Sequence, residues 1–400
     1  MILNEKQKKV VYTQEHFLFL LAGAGSGKTR VIVERIKHLI NLGVSKEDIL
    51  CLTFTHKAAK EMKERLNTYD LNIYTFHSLA FHALKTITSS YELIKEDNIP
   101  FNKQDLLDIS TYKNSMYKKR KPKLYDSYQQ YLKQHHQKDF DDLLIDYLKI
   151  LNQTKKTYQY IFVDEFQDTN LLQYKIIQKL IKKDSYVLAV GDPDQSIYQF
   201  RGANRYIIDQ YVKDYHAKVE ILDKNYRSSP EILKIANDFI KRNHRTYKKN
   251  LIPFHQKNYE THKKVCINLE DEANFIIHQY KKFIFKGIKP FEIAVLYRNH
   301  HRASYLKKVL NQKFIDFKTG IQLLSMHQAK GLEFDCVFII GLEDDEIPSR
   351  HTKTYMTLEE ERRLMYVAVT RARKYLYLIY TKNVGNYRKK SKFYKEIKIK

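Results

Sequence analysis

Residues 17–42 read FLFLLAGAGSGKTRVIVERIKHLINL: an apolar, β-rich run, a glycine-rich turn, then a helical pattern to about Leu42. A strand that turns through glycines into a helix is the setting of a phosphate-binding loop. Glycines let backbone N–H groups converge on phosphate oxygens at the helix N-terminus, Lys28 meets the β and γ oxygens, and the Thr29 hydroxyl can hold Mg²⁺. The candidate loop is Ala22, Gly23, Ala24, Gly25, Ser26, Gly27, Lys28 and Thr29. The strict pattern has glycine first, where this chain has Ala22. A purely structural turn is the plain alternative, and Gly27-Lys28-Thr29 in this context argues against it.

Outward from that stretch the same rhythm repeats. DILCLTF at 48–54 precedes the amphipathic KAAKEMKERL, and β-rich runs return at 160–165 (YIFVDE), 186–192 (YVLAVGD), 265–269 (VCINL), 291–297 (FEIAVLY), 321–325 (IQLLS) and 336–342 (CVFIIGL). Strands alternating with helices predict an α/β chain of parallel sheets with crossover helices, and two sheets fit better than one. Between about 85 and 138 the strand rhythm stops. There the basic, Tyr- and Gln-rich TYKNSMYKKRKPKLYDSYQQYLKQHHQK reads as a small helical insertion. A second change of texture near 213–220 marks the lobe boundary. The expected organisation is 1–84 with 139–212 as one lobe, 85–138 as the insertion and 213–400 as the second lobe.

Asp164-Glu165 directly follow the apolar YIFV, so they emerge at a sheet's carboxyl edge, where ligands collect. Asp164 can hold Mg²⁺ through water and Glu165 can orient an attacking water, the division of labour that phosphoryl transfer to water requires. Lys and Arg outnumber Asp and Glu by 71 to 46, a net charge of +25 that favours a polyanionic partner. Solubility or a lysine-rich proteome is the plain alternative. Cys51, Cys266 and Cys336 each sit in an apolar run, which predicts buried thiols with neither a disulfide nor a metal framework. The start MILNEKQKKVVY lacks a signal peptide's apolar stretch, and no run reaches the roughly 18 apolar residues of a membrane span, so a cytoplasmic protein is expected.

An ordered series of stretches resembles the UvrD/Rep family of superfamily 1 DNA helicases from about Leu3 to about Tyr380. The stretches are LNEKQ (3–7), AGAGSGKTR (22–30), LTFTHKAAKEM (52–62), TFHSLA (75–80), FDDLL (140–144), VDEFQDTN (163–170), VGDPDQSIYQFRGA (190–203), NYRSSPEI (225–232), SMHQAKGLEFDCVFI (325–339) and RRLMYVAVTRAR (362–373). The resemblance implies two RecA-like lobes of a P-loop NTPase that hydrolyse ATP with Mg²⁺ at a cleft and move along single-stranded DNA with 3′ to 5′ polarity. It implies that Gln7 reads adenine, that Arg30 and Tyr226 sandwich its ring, and that Glu333 lies near the ribose. Gln195 would sense the γ-phosphate, with Arg227 and Arg371 as arginine fingers. DNA would be met by Phe54, His56, Lys57, Thr75, Phe76, His77 and Phe200, and by Ser325, Met326 and His327.

Three departures from the family pattern stand out. Phe200 replaces the usual Trp, and His56 the usual Asn. Only about ten residues join AVLYRNHHRASYLKKVL to IQLLSMHQAKG, where larger members carry the mobile 2B domain. A wedge built partly from 2B would be lacking, so translocation is a safer expectation than processive unwinding. The expected partners are single-stranded DNA and single/double-strand junctions, with a protein partner that supplies processivity or nuclease activity, in repair, replication or recombination. The alternatives are a DNA-stimulated ATPase that displaces proteins without unwinding, and the motor subunit of a helicase–nuclease complex.

Overall fold

The computed structural model describes residues 2–85, 92–94, 99–199, 202–204, 206–317, 319–350, 352 and 354–399. The chain divides into two compact units, Met1–Ala22 with Gly27–Leu222, and Gly23–Ser26 with Asp223–Lys400. Phe200, expected to meet DNA, lies outside the described residues.

Along the first unit run β1 (Phe17–Ala22), β2 (Ile49–Thr53), β3 (Asn72–Thr75), β4 (Glu92–Leu93), β5 (Gln137–Lys138), β6 (Tyr158–Val163), β7 (Ile181–Gly191) and β8 (Lys218–Leu222). Its helices are α1 (Glu5–Val11), α2 (Lys28–Asn41), α3 (His56–Leu66), α4 (Phe76–Lys85), α5 (Lys103–Asn114), α6 (Tyr125–Gln134), α7 (Phe140–Thr154), α8 (Leu171–Leu180) and α9 (Ile207–Tyr215). Six strands pair in the order β3-β2-β6-β7-β1-β8, all parallel. Helices cover both faces of such a sheet, which is why β2 is buried at every residue and β1 at all but Phe17. The apolar stripe of α2 (Val31, Ile32, Ile36, Leu39) packs on Leu18 and Leu20 of β1 and on Cys51 of β2 in one core. Helices α5 and α6 carry a separate small core of Ile94, Ile109, Tyr128 and Leu132.

Strand β8 pairs with β1 from Leu18↔Lys218 to Ala22↔Leu222. The first unit therefore runs to Leu222, ten residues beyond the expected boundary at 212. KVEIL is an edge strand buried fully only at Leu222, so it lacks the continuous apolar run by which the inner strands are recognised.

The second unit contains β9 (Lys224–Asn225), β10 (Ile252–Pro253), β11 (Thr261–Asn268), β12 (Ile293–Tyr297), β13 (Gln322–Ser325), β14 (Phe334–Ile339) and β15 (Ala372–Asn383). Its helices are α10 (Pro230–Ile240), α11 (Leu269–Phe285), α12 (Ser304–Gln312), α13 (Tyr355–Val369) and α14 (Lys392–Glu396). Five strands form a parallel sheet in the order β11-β15-β14-β12-β13. The two sheets bear out the α/β, two-sheet expectation. Within the second unit the buried Arg302 is paired with Glu272 (2.5 Å) and Glu343 (3.1 Å), both almost fully buried. That triad ties α11 to the segment after β14, and removing one member leaves buried charge uncompensated. Among the described residues no helix is long and apolar enough to cross a membrane.

Candidate nucleotide site and nucleic-acid groove

All strands of the first sheet end at one edge, so β1, β6 and β7 deliver their following residues to the same place. After β1 comes Gly27, left-handed at φ +84°, and then α2, whose N-terminus has no side-chain cap. The first N–H groups of a 14-residue helix are thereby left pointing at the loop, ready for an anion. Lys28 leads that helix, and its Nζ donates to Glu165 Oε1 at 2.7 Å. Burial pulls the Lys28 ammonium down, but Glu165, Asp164 and Asp192 outweigh it and hold its pKa above the usual lysine value. Lys28 is therefore a firm cation at neutral pH.

After β6 the buried Asp164 accepts the Glu165 N–H at 3.0 Å, and Glu165 itself is left-handed, at φ +51°. That conformation costs energy for a residue with a Cβ and turns the carboxylate toward the loop. Gln167, buried and not singled out from sequence, holds the set together. Its Nε2 donates to Glu165 Oε2 (2.5 Å) and Asp168 Oδ2 (3.1 Å), while its Oε1 accepts the Asp192 N–H (2.9 Å). Asp192 Oδ2 accepts from Gln195 Nε2 at 2.6 Å. A chain of contacts thus runs Lys28–Glu165–Gln167–Asp192–Gln195. Gly191 makes the close approach possible, because a Cβ there would lie 2.6 Å from Gln167 Oε1. Thr29 and Asp164 offer hydroxyl and carboxylate oxygens, the donor type a hard cation such as Mg²⁺ prefers, so the residues present fit that ion.

Gln7 reaches the loop from α1. It forms a capping box with Asn4, accepting the Asn4 N–H (3.0 Å) while its own N–H donates to Asn4 Oδ1 (2.8 Å). A Cβ on Gly27 would lie 2.9 Å from Gln7 Nε2, which sets the amide beside the loop. The carboxyl end of α1 is held by buried Arg35 of α2, which donates to the carbonyls of Val10, Val11 and Thr13 at 3.0 Å each. Arg30 is half-buried in the first turn of α2.

Gly23–Ser26 group with the second unit, where Asn225 Nδ2 donates to the Ala24 carbonyl (2.7 Å) and the Tyr226 N–H to the Gly25 carbonyl (2.9 Å). Gly25 is left-handed, and a Cβ there would sit 2.7 Å from Arg227 Cβ. Arg227 Nε donates to Glu333 at 2.6 Å, and Arg373 donates to the same carboxylate at 3.3 Å. Burial pushes the Glu333 carboxyl up, but Arg227 and Arg373 more than reverse it. Arg371 is 2% exposed and donates to the carbonyls of Val367 (2.9 Å) and Leu332 (3.0 Å). Tyr226 packs against Phe254, ring centroids 4.8 Å apart.

The residues expected to meet DNA fall into two groups. Phe54, His56 and Lys57 lie at and before the start of α3, with His56 and Lys57 exposed. Phe54 stacks on Tyr198, centroids 5.6 Å apart and planes 13° from parallel, which adds an aromatic that sequence reading did not select. Phe76, in contrast, is 4% exposed and Met326 fully buried, so their side chains serve packing and any DNA contact from these positions falls to backbone. The aromatic and thioether follow strand ends and turn inward to the core. His77 is pushed down to about 4 by burial and by His56, so at neutral pH it is a neutral ring and adds no charge toward phosphate. Thr75 and Ser325 close equivalent turns in the two units. Thr75 N–H donates to Ser78 Oγ (2.8 Å), and Ser325 N–H to Gln328 Oε1 (3.0 Å). His327 is half-buried beyond the second of these turns.

Strand order, phosphate loop and paired carboxylates define a RecA-like P-loop NTPase. Residues 7–201 match the AAA domain family, and residues 221–320 and 316–383 match the UvrD-like helicase C-terminal domain family. A probable DNA helicase of Mycoplasma pneumoniae is 34% identical over 94% of this chain and 83% of its own length. The putative ATP-dependent DNA helicase YjcD of Bacillus subtilis is 35% identical over 80% of this chain, and the ATP-dependent DNA helicase PcrA of Staphylococcus aureus 32% over 81%. The chain spans 49% of YjcD and 53% of PcrA. It belongs to the UvrD/Rep family of superfamily 1 DNA helicases, a family of ATP-hydrolysing enzymes.

Proposed function

We propose that this protein is an ATP- and Mg²⁺-dependent motor that translocates on single-stranded DNA in the 3′ to 5′ direction and opens junctions with duplex, acting in the cytoplasm in repair, replication or recombination. The observation that carries the reading is the Lys28–Glu165–Gln167–Asp192–Gln195 chain at the carboxyl edge of the first sheet. It unites a phosphate-binding cation, a carboxylate able to orient water and an amide able to sense a γ-phosphate. A phosphate arriving at the loop competes with Glu165 for Lys28 and leaves the carboxylate available to water. Gln7 and the sandwich of the Arg30 guanidinium and the Tyr226 ring serve adenine, Glu333 the ribose, Thr29 and Asp164 the Mg²⁺, and Arg227 and Arg371 the charge of the transition state. Phe54 and Tyr198 stack on bases, and His56 and Lys57 meet phosphates.

A second reading is favoured by one feature: residues 313–321 alone join α12 to β13, and the two segments matching the UvrD-like C-terminal family meet at 316–320. A member without 2B lacks a duplex-gripping wedge, which supports translocation or protein displacement with unwinding left to a partner. The deciding experiment measures hydrolysis with and without single-stranded DNA for wild type and Lys28→Ala, then unwinding of 3′-tailed and 5′-tailed duplex. DNA-stimulated hydrolysis lost in the variant, with 3′-tail preference, is expected. Hydrolysis without unwinding selects the second reading, and no DNA-stimulated hydrolysis rejects both.

A further inference from the structure

A cavity of about 750 Å³ in the first unit has two kinds of wall. Its lining includes the rings of Phe54, His77 and Tyr198 and the polar side chains of Asn114, Asp141 and Asn170. Asn114, the last residue of α5, is 4% exposed, and its amide joins three elements. Its Oδ1 accepts from Asn170 Nδ2 at 2.8 Å, and its Nδ2 donates to Asp141 Oδ1 at 2.9 Å and to Ser110 Oγ at 3.1 Å. Asn170 is fixed in turn: its Oδ1 caps α8 by accepting the Gln173 N–H (2.8 Å), and its N–H donates to Gln173 Oε1 (3.1 Å). Between Asn170 and Glu165 the backbone has little slack. The Asp168 N–H donates to the Glu165 carbonyl (2.9 Å) and the Thr169 N–H to the Phe166 carbonyl (3.1 Å). A displacement of Asn170 is therefore passed along a hydrogen-bonded turn to Glu165, the partner of Lys28.

We propose that Asn114 is a positioning residue through which a single strand in the groove acts on hydrolysis. A nucleobase entering the cavity beside the Phe54 and Tyr198 rings brings donors and acceptors to Asp141, competes for the Asn114 amide, and so shifts Asn170 and the Glu165 turn. Hydrogen bonds inside such a network support one another, so losing one link uncouples the remainder. The proposal rests on the reading of the protein as a DNA-stimulated ATPase.

The test measures the ratio of hydrolysis rates with saturating oligo(dT) and without DNA on the full chain, with oligo(dT) affinity measured separately. Asn114→Ala is expected to lower the ratio about tenfold, with affinity kept within about twofold. Asn170→Ser, which keeps a helix-capping oxygen but cannot reach Asn114, is expected to do the same. Asp141→Asn keeps an acceptor oxygen for Asn114 and retains the wild-type ratio, whereas Asp141→Ala loses it. Wild-type ratios in both Asn114→Ala and Asn170→Ser overturn the inference alone. A loss recovered by adding more DNA assigns Asn114 to strand binding and also overturns it. Wild type without DNA stimulation rejects the motor reading itself, an outcome distinguishable from either.

Discussion

At the scale of single residues, the active centre depends on close approaches that allow no extra atom. Gly191 is the sharpest case, because a methyl there would meet Gln167 Oε1 at 2.6 Å and Gln167 N at 3.2 Å. Gln167 must move, and the Glu165 and Asp192 contacts move with it. Gly191→Ala is expected to lower kcat for ATP hydrolysis about ten- to a hundredfold with KM changed less, since positioning errors fall on the chemical step. A wild-type kcat would show that Gln167 does not govern the carboxylate. Asp141 supplies a second prediction. Burial and then Asp139 raise its pKa from the ordinary 3.8 to about 7, with Ser110, Asn114 and Lys113 opposing. The folded state therefore holds this proton more tightly than the unfolded chain, so its contribution is present at low pH and is lost as pH rises through that window. Asp141→Asn removes the titration and should flatten the fall in stability between about pH 4 and about pH 7 by on the order of 1–4 kcal/mol, read from denaturant midpoints. An unchanged slope would assign the pH dependence elsewhere.

At the scale of elements, the insertion around α5 and α6 presents Lys118, Lys119, Arg120 and Lys121, all exposed, on the loop between the two helices. Lys121 is partly committed to Asp126 at 2.7 Å and to the Tyr125 ring. If this loop meets phosphates, replacing all four with Gln should reduce the slope of log affinity against log salt by about 2–3, the share of the three uncommitted charges. An unaltered slope would mark the loop as solvated surface only. Elements of this kind differ in how far sequence reveals them. Inner strands such as β1 and β2 are buried on both faces and read as unbroken apolar runs, so the sheets and the carboxylates following β6 were legible. Edge strand β8, with its exposed Lys218 and half-buried Val219, Glu220 and Ile221, was not, and the boundary shifted with it. The inward turn of Phe76 was open to either reading, because a local motif cannot say which side of a strand end the core lies on. The Asn114–Asp141 contact joins residues 27 apart across two helices, and no periodicity announces such a pair.

At the scale of the whole molecule, the short connection after α12 bears on how the motor is regulated. Among the described residues of this connection, Asp316 accepts from the Thr319 N–H (3.1 Å) and the Ile321 N–H donates to the Asp316 carbonyl (3.0 Å), while Ile315 and Phe317 pack on the core of the second unit. Phe314, two residues beyond the end of α12, is 97% exposed, so the connection offers solvent-facing chain beside the residues that pack on the core. We infer that larger relatives use this position for a domain that both grips duplex and restrains the motor, and that this chain works without either. Grafting the 2B domain of a relative between Gln312 and Gly320 should then lower single-strand-stimulated hydrolysis several-fold, on the order of the 1–3 kcal/mol typical of coupling between sites. The graft should also raise unwinding per ATP hydrolysed on tailed duplex. The two readouts separate restraint from damage: a graft that merely disrupts the second unit lowers both, whereas a functional one moves them in opposite directions. Hydrolysis that stays unchanged or rises in a folded graft would count against restraint by that domain and leave the short connection without a regulatory consequence.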